Sequence, residues 1–314
     1  MPRIAYFGPQ GTFTEQAAHQ LAVVDVDELT PVDTVFAALS AVRAGAADAA
    51  CVPVENSVEG AVPATMDALT DGEPLVAVAE TVLPIRFSVL VRPGTEPGKV
   101  RTVASHPHAL AQVRGWLAEH LPQARQVAAN STAGAAVGVA EGDFDAAVTA
   151  PVAIRHYPLA ELVTDIADIT DAATRFLLLR RPGTLPEPTG ADRTSLVAVT
   201  PDTPGALADL LVELAHRGLN LSRIESRPTK GRLGEYRFFL DLDGHVAEPR
   251  VGDALAALRR RCTSVRFLGS FPRADHAASP VPPGATAADF ATAAAWLADI
   301  RGEHNGAHEG EARR

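Results

Sequence analysis

The sequence predicts an α/β fold in two lobes, followed by a ferredoxin-like βαββαβ unit. Three observations carry that prediction. Strand-like and helix-like segments alternate through the first part of the chain, the pattern of sheets covered by helices. The rhythm of residues 1–78 recurs over residues 80–160 without any repeat of sequence, which points to two lobes with a cleft between them. A Pro- and Gly-rich stretch, RPGTLPEPTG (181–190), then separates this region from a different pattern.

Residues 3–7 (RIAYF) read as a strand, Gly8-Pro9-Gln10-Gly11 as a turn, and a helix is predicted from about Thr12. Asp33 is the expected cap of a helix that runs through Arg43 and ends at Gly45. Asp48–Val54 is a short apolar run of the buried-strand kind, and Ser57–Leu69 reads as a helix. Leu75–Val91 holds two extended runs around Pro84. Val100–Ala104, Gln126–Ala129 and Ala146–Thr149 are further short strands, with helices starting near Ser105 and Ser131. Thr174–Leu179 reads as a closing strand, and the sheets are expected to be mainly parallel.

From Arg193 the order changes. RTSLVAVT is a strand, and PGALADLLVELAHRG is a helix with Leu207, Leu210, Leu211 and Leu214 on one face, stopped by Gly218. LSRIESRP and EYRFFLDLDG are strands, RVGDALAALRRR a second helix and SVRFLGSF a last strand, completing the ferredoxin-like order. Residues 273–284 are rich in Pro and Ala. Residues 286–300 suit one amphipathic helix with Phe290, Trp296, Leu297 and Ile300, and the end, EHNGAHEGEARR, is expected to be disordered.

Composition narrows the chemistry. The 314 residues, 46% apolar and 21% charged, suit two or three domains with buried cores. No apolar run approaches the roughly 18 residues of a membrane span, and no secretory signal is visible. Cys51 and Cys262 are the only cysteines, which excludes a disulfide framework and a Cys₄ zinc site and fits a reducing cytoplasm. The net charge of −10 lies in residues 1–190, which hold 12 basic against 22 acidic residues. Such an acidic body argues against nucleic acid, and an anionic ligand must be held by local donors. Lys99 and Lys230 are the only lysines, both in turn-like contexts, which argues against Schiff-base chemistry. There is no Walker P-loop, no G-x-G-x-x-G after a strand, no H-E-x-x-H, no C-x-x-C and no G-x-S-x-G. A cofactor-free enzyme or a small-molecule binding module remains.

Several motifs sit where strands give way to helices. GPQGTFTEQAA (8–18) offers backbone N–H groups and a helix dipole to a carboxylate, or is an ordinary tight turn. VPVENSVEG (52–60) clusters Glu55, Asn56 and Ser57 at a strand's carboxyl end, where open α/β sheets bind ligands; Ser57 reads equally as an N-cap. SHPHALAQ (105–112) has Ser105 as the expected cap. His106 and His108 lack a third ligand nearby, so a capping or solvated role is expected rather than a metal. NSTAG (130–134) reads as another N-cap. DAATRFLLL (171–179) brings a hydroxyl, a guanidinium and a ring together at a strand start, where the arginine alternatively makes a structural ion pair.

Taken together and in this order, GPQGTFTEQAA, PVENSVEG, SHPHALAQ and TRF resemble the prephenate dehydratase family, and PGAL (204–207) and NLSRIESRP (220–228) resemble its phenylalanine-sensing ACT domain. The resemblance covers residues 1–272. It implies a two-lobed catalytic region like a periplasmic binding protein over 1–183 and an ACT domain over 193–272; the tail, 273–314, lies outside it and is expected to be partly disordered. There are departures: His108 stands where the family usually has Gln, Val113 where Cys is common, Thr14 replaces Ser, and Asp171-Ala172-Ala173 stands where an Asn is often found.

The resemblance implies conversion of prephenate to phenylpyruvate with loss of water and CO₂. Thr174 is the catalytic hydroxyl, Arg175 orients a substrate carboxylate, and Phe176 walls the ring. Gly11, Thr12, Glu55, Asn56 and Ser57 are the substrate-binding candidates, with Glu55 a rival acid. Phenylalanine is the implied effector, held by Gly205, Ala206, Leu207, Asn220, Leu221, Glu225 and Ser226 between two ACT domains, in a homodimer or homotetramer. No cofactor and no metal is expected. A non-catalytic amino-acid sensor, and arogenate as substrate, remain as alternatives.

Overall fold

The computed structural model describes residues 1–23, 27–229, 231 and 234–302. The predicted end at 303–314 and Lys230 lie outside the described residues. The chain forms two compact units, one of Met1–Pro186 with Arg273–Asp275, the other of Glu187–Pro272 with the residues from His276 onward.

The first unit holds two sheets. Its first lobe runs β1 (Arg3–Phe7), α1 (Phe13–Leu21), β2 (Glu28–Val32), α2 (Val35–Arg43), β3 (Ala49–Asn56), β4 (Gly60–Ala61), α3 (Pro63–Thr70) and β5 (Val76–Pro84). The second lobe contributes β6 (Ser88–Val91), β7 (Thr102–Ser105), α4 (Pro107–Gln112), α5 (Arg114–His120), β8 (Arg125–Ala128), α6 (Thr132–Glu141), β9 (Ala146–Thr149) and β10 (Ala160–Val163). The chain then returns to the first lobe as β11 (Ala173–Arg180), which lies between β5 and β3. Ile4, Tyr6, Cys51, Leu83, Phe176 and Leu178 form the first lobe's core. Full burial of a ring such as Phe176 contributes about 1.5–3 kcal/mol.

The sheets are mixed, not mainly parallel. β1 pairs parallel with β2 and β3, but β11 pairs antiparallel with both β3 and β5. In the second lobe β7 is parallel to β8 and β9, whereas β6 is antiparallel to β9 and β10. The cause is the crossing of the chain between lobes, which sends β11 back into the first sheet from the far end.

Three helix starts also differ from expectation. Thr34, not Asp33, caps α2: its side chain accepts from the Ala37 N–H. The helix expected from Ser57 begins only at Pro63, because Asn56 Oδ1 accepts the N–H groups of Val58 and Glu59 and folds the chain into a turn. Ser105 does not cap α4. It is fully buried and donates to the Val148 carbonyl at 2.6 Å, while His106 takes the cap position.

The second unit has β12 (Asp192–Val199), α7 (Ala206–Ala215), β13 (Leu221–Pro228), β14 (Tyr236–Asp243), α8 (Pro249–Arg261) and β15 (Ser264–Pro272). Its strands follow the order β13-β14-β12-β15, all antiparallel, with Leu196, Leu210, Leu214, Phe238, Leu240 and Leu258 in the core beneath the two helices. The predicted tail helix is present as α9 (Ala287–Arg301), started by a Thr286–Asp289 capping box. None of its residues is buried, and Trp296, Leu297 and Ile300 are exposed.

Candidate active site

A cavity of about 250 Å³ opens in the first unit. It is lined from the first lobe by Phe7, Gly8, Thr12, Phe13, Thr14, Asn56, Thr174 and Phe176, and from the second by Phe87, His106, His108, Gln112, Asn130, Ser131 and Thr132. Thr12, Asn56, His106 and Ser131 lie where a strand hands over to a helix or turn, the position where open α/β sheets present ligand-binding groups.

Thr174 is buried and sits directly opposite Asn56 in the β11–β3 ladder. Asn56 Nδ2 donates to Thr174 Oγ1 at 2.8 Å. The direction of that bond is fixed locally. Asn56 Oδ1 accepts from Val58 N–H at 2.8 Å and from Glu59 N–H at 3.1 Å, which leaves the amide nitrogen facing the threonine. Ser57 secures the same corner: its N–H donates to the Ala173 carbonyl and its Oγ accepts the Ala173 N–H, both at 2.9 Å. Ser57 therefore holds the start of β11 and is not among the cavity-lining residues.

Strand alternation separates the Thr-Arg-Phe motif. Thr174 and Phe176 face the cavity, while Arg175 points to the opposite face. There its guanidinium lies 3.3 Å from Glu80 and 3.5 Å from Glu55. The structure thus does not bring Arg175 or Glu55 to the cavity; they form a mostly buried ion-pair group behind it. A register shift between Arg175 and Phe176 leaves Val54 as an extra residue on β3, which aligns Thr174 with Asn56.

Thr12 lines the cavity and caps α1, its Oγ1 accepting from Glu15 N–H at 3.2 Å. Gly11, one residue earlier, supports the turn without lining the cavity. On the second lobe Ser131 caps α6 through the Gly134 N–H at 2.8 Å. The first N–H groups of α1 and α6 have no intrahelical partner and meet the cavity from opposite lobes. Arg and Lys are absent from the lining, so these amides and the helix dipoles are its source of positive potential.

His106 Nδ1 accepts the His108 N–H at 3.3 Å, which requires an unprotonated nitrogen. Burial, and then the neighbouring His108, lower the His106 pKa and keep that ring neutral. Sequence reasoning missed His106 and His108 as cavity residues, along with Gln112, Phe13 and Phe87. The Phe13 and Phe87 rings meet edge to face across the lobes, with centroids 5.6 Å apart. Gln112 is 7% exposed, and its Oε1 has no hydrogen-bond partner among the described residues. No group of three metal-ligating side chains is found among the described residues.

The profile of the family described as prephenate dehydratase matches residues 4–184, more than half of the chain. The chain belongs to the prephenate dehydratase family. A relative from Amycolatopsis methanolica, named prephenate dehydratase, is 64% identical over 305 residues, covering 96% of this chain and 99% of its own. Another so named, from Mycolicibacterium vanbaalenii, is 49% identical with the same shares covered. The crystal structure of a prephenate dehydratase from Arthrobacter aurescens in complex with L-Phe superposes with a TM-score of 0.91 at 48% identity, covering 96% of this chain and 99% of that one. The fold also carries other chemistry. A solved structure described as GqqA, a novel type of quorum quenching acylase, matches with a TM-score of 0.77 at 32% identity, covering 88% of this chain and 98% of that one.

The ACT domain profile matches residues 194–260. Within this prephenate dehydratase family member's ACT unit, a cavity of about 400 Å³ is lined by Thr200–Thr203, Gly205–Ala208, Gly234, Glu235, Tyr236 and Phe238. Gly205 caps α7 in the left-handed region at φ 85°. Gly205, Ala206 and Leu207 line this cavity, but Asn220, Leu221, Glu225 and Ser226 do not. Asn220 Nδ2 instead donates to Asp243 at 2.7 Å, Leu221 packs against the core, and Glu225 and Ser226 lie on β13, at one end of the unit's strand order.

Proposed function

We propose that this chain converts prephenate to phenylpyruvate in phenylalanine biosynthesis, with Thr174 as the proton donor, and that phenylalanine restrains it through the ACT domain. The observation that carries the site reading is the Asn56–Thr174 hydrogen bond inside a cleft walled by phenylalanines. Because Asn56 donates to Oγ1, the threonine's own proton is free to point into the cleft.

The reaction follows from that orientation. The bond from C1 of the ring to its carboxylate breaks, and the electron pair enters the ring. The C4–O bond breaks on the far side, and the departing oxygen takes the Thr174 proton and leaves as water. CO₂ and an aromatic ring result, so the whole change consumes one proton from solvent, which restores the hydroxyl. A positioned acid of this kind contributes typically about 10²–10⁴-fold. The Asn56 N–H stabilises the negative charge that develops on Oγ1. Phe176, Phe13 and Phe87 exclude water and match the apolar ring.

Prephenate carries two carboxylates, and the cleft offers the amino ends of α1, from Thr12, and of α6, from Ser131, on opposite lobes. Asn56 and Thr12 remain the substrate-facing members of the expected set. Gly11 and Ser57 act by holding the turns, and Glu55 by flanking Arg175.

Phenylalanine is assigned to the ACT cavity around Gly205-Ala206-Leu207. Strand β13, at the end of the sheet order, suits pairing with a second copy, giving a homodimer or homotetramer. No helix among the described residues is long and apolar enough to cross a membrane, and we place the enzyme in the cytoplasm. An ultraviolet assay for phenylpyruvate, run with prephenate and with arogenate, each with and without phenylalanine, tests the reading. Turnover of prephenate that falls with added phenylalanine supports it; absence of turnover refutes it.

A further inference from the structure

Glu15 is a buried carboxylate that the proton transfer does not use. It stands in the first turn of α1 and is 3% exposed. Its Oε2 accepts the Gly11 N–H at 2.5 Å, and its Oε1 lies 3.0 Å from Nε2 of His156. The exposed His19 stands 3.9 Å from the same oxygen. Gly11 belongs to the glycine turn of the first lobe, whereas His156 ends the short 3₁₀ turn Pro151–Arg155 of the second. The lobes meet at this point in two further ways. The Tyr157 hydroxyl donates to the Gln10 carbonyl at 2.8 Å. A Cβ on Gly11 would come within 3.0 Å of Ala153 Cα and 3.1 Å of the Tyr157 ring, and its φ of +85° is one that side chains rarely adopt.

We propose that Glu15 and His156 are positioning residues that tie the glycine turn of the first lobe to the second lobe and so hold the cleft in its substrate-ready arrangement. This deepens the dehydratase reading and rests on it. Gly8 and Thr12 flank the tied turn and both line the cleft, so fixing the turn fixes one wall of the site. The Tyr6 and Tyr157 hydroxyls are pushed up in pKa, first by burial and then by the Glu15 charge, so Tyr157 stays protonated as the donor to Gln10. Loss of the tie lets the lobes populate arrangements that do not bind, and apparent affinity falls by the fraction of molecules left competent. Thr174 and Asn56 are not contacted by the tie, so the chemical step survives once substrate has closed the cleft. The signature is a raised KM with kcat retained.

The test is steady-state kinetics of the full chain on prephenate, with thermal melts, for the parent, His156→Ala and His156→Gln. The alanine variant is expected to raise KM roughly tenfold, with kcat within about twofold of the parent. His156→Gln keeps an N–H donor of similar reach and is expected to recover most of the loss. His156 is partly exposed, so its replacement leaves the core intact; Glu15→Gln, which still accepts from Gly11, is a second variant expected to show the same KM shift. A parental KM in His156→Ala, a fall in kcat at constant KM, or an equal loss in the alanine and glutamine variants overturns the proposal. A parent chain that makes no phenylpyruvate from prephenate refutes the dehydratase reading itself, and this inference with it.

Discussion

Asn56 and Thr174 are 118 residues apart in sequence and share one hydrogen bond of 2.8 Å, donated by the amide to the hydroxyl. Both the direction of the bond and the position of its partners matter. An amide nitrogen that donates leaves the threonine proton available to the substrate. The same side chain's oxygen is used up by Val58 and Glu59, so the arrangement cannot reverse without opening the turn.

Asn56→Asp separates these two roles. The aspartate still accepts from the Val58 and Glu59 N–H groups, but it now draws the Thr174 proton toward itself. We expect kcat to fall by about 10²-fold or more while the melting temperature changes little, since the bonds from Val58 and Glu59 that hold the turn are kept. Rapid-mixing kinetics with calorimetric melts check both halves; near-parental kcat would remove Asn56 from the mechanism.

Arg175→Met tests the reassignment of that residue. Removing the cation between Glu55 and Glu80 is expected to cost stability, on the order of 3–5 kcal/mol for a broken buried pair. The kcat of the folded protein should fall far less than in a Thr174 variant. A folded Arg175→Met protein with normal stability and abolished turnover would return the guanidinium to the catalytic centre.

Asp145 sets part of the acid limit of the second lobe. Burial pushes its carboxyl up, but the N–H groups of Arg101 and Thr102, the Thr102 hydroxyl and the nearby Arg92 outweigh it and hold the carboxyl below its ordinary value. The unfolded chain therefore takes up the proton first. The stabilisation is complete above the unfolded carboxyl value of about 3.9 and is lost as pH falls through the lower folded value. Melting temperatures of the parent and Asp145→Asn should differ most near neutral pH and converge as pH falls through the lowered folded value. A difference that grows in acid would contradict the assignment.

Gly205 tests the effector site. Its Cβ direction is open, but φ is +85°, so a side chain strains the cap of α7, and a long one enters the ACT cavity. Gly205→Leu is expected to bring the ratio of rates with and without phenylalanine close to one, and calorimetry should show loss of phenylalanine binding. Retained inhibition would place the effector elsewhere.

The sequence made the separate motifs legible but not their meeting. GPQGTF and ENS each mark the carboxyl end of a strand, where such folds bind ligands, and TRF marks the start of β11, which antiparallel pairing sets beside the end of β3. Which side of β11 each residue faces was less visible: alternation alone sets Arg175 opposite Thr174 and Phe176, yet the motif reads as one cluster. The helix expected from Ser57 failed because Asn56 spends its oxygen on a turn, a local bond that hydrophobic spacing does not report. Strand β2 carries Pro31 and few buried side chains, features that are tolerated because it lies at the sheet's edge. Phe13 and Phe87 face the cleft, but in sequence they look like core positions, and Gln112 looks like an ordinary polar helix residue; only the meeting of two lobes gives them a ligand to face.

The most direct test of the central claim is the turnover of prephenate by Thr174→Ala and Thr174→Ser, followed as phenylpyruvate in the ultraviolet. The account predicts that the alanine variant loses kcat by about 10²–10⁴-fold with little change in KM, and that the serine variant, which keeps a hydroxyl opposite Asn56, retains substantial activity. An alanine variant that turns over at near the parent rate would contradict it.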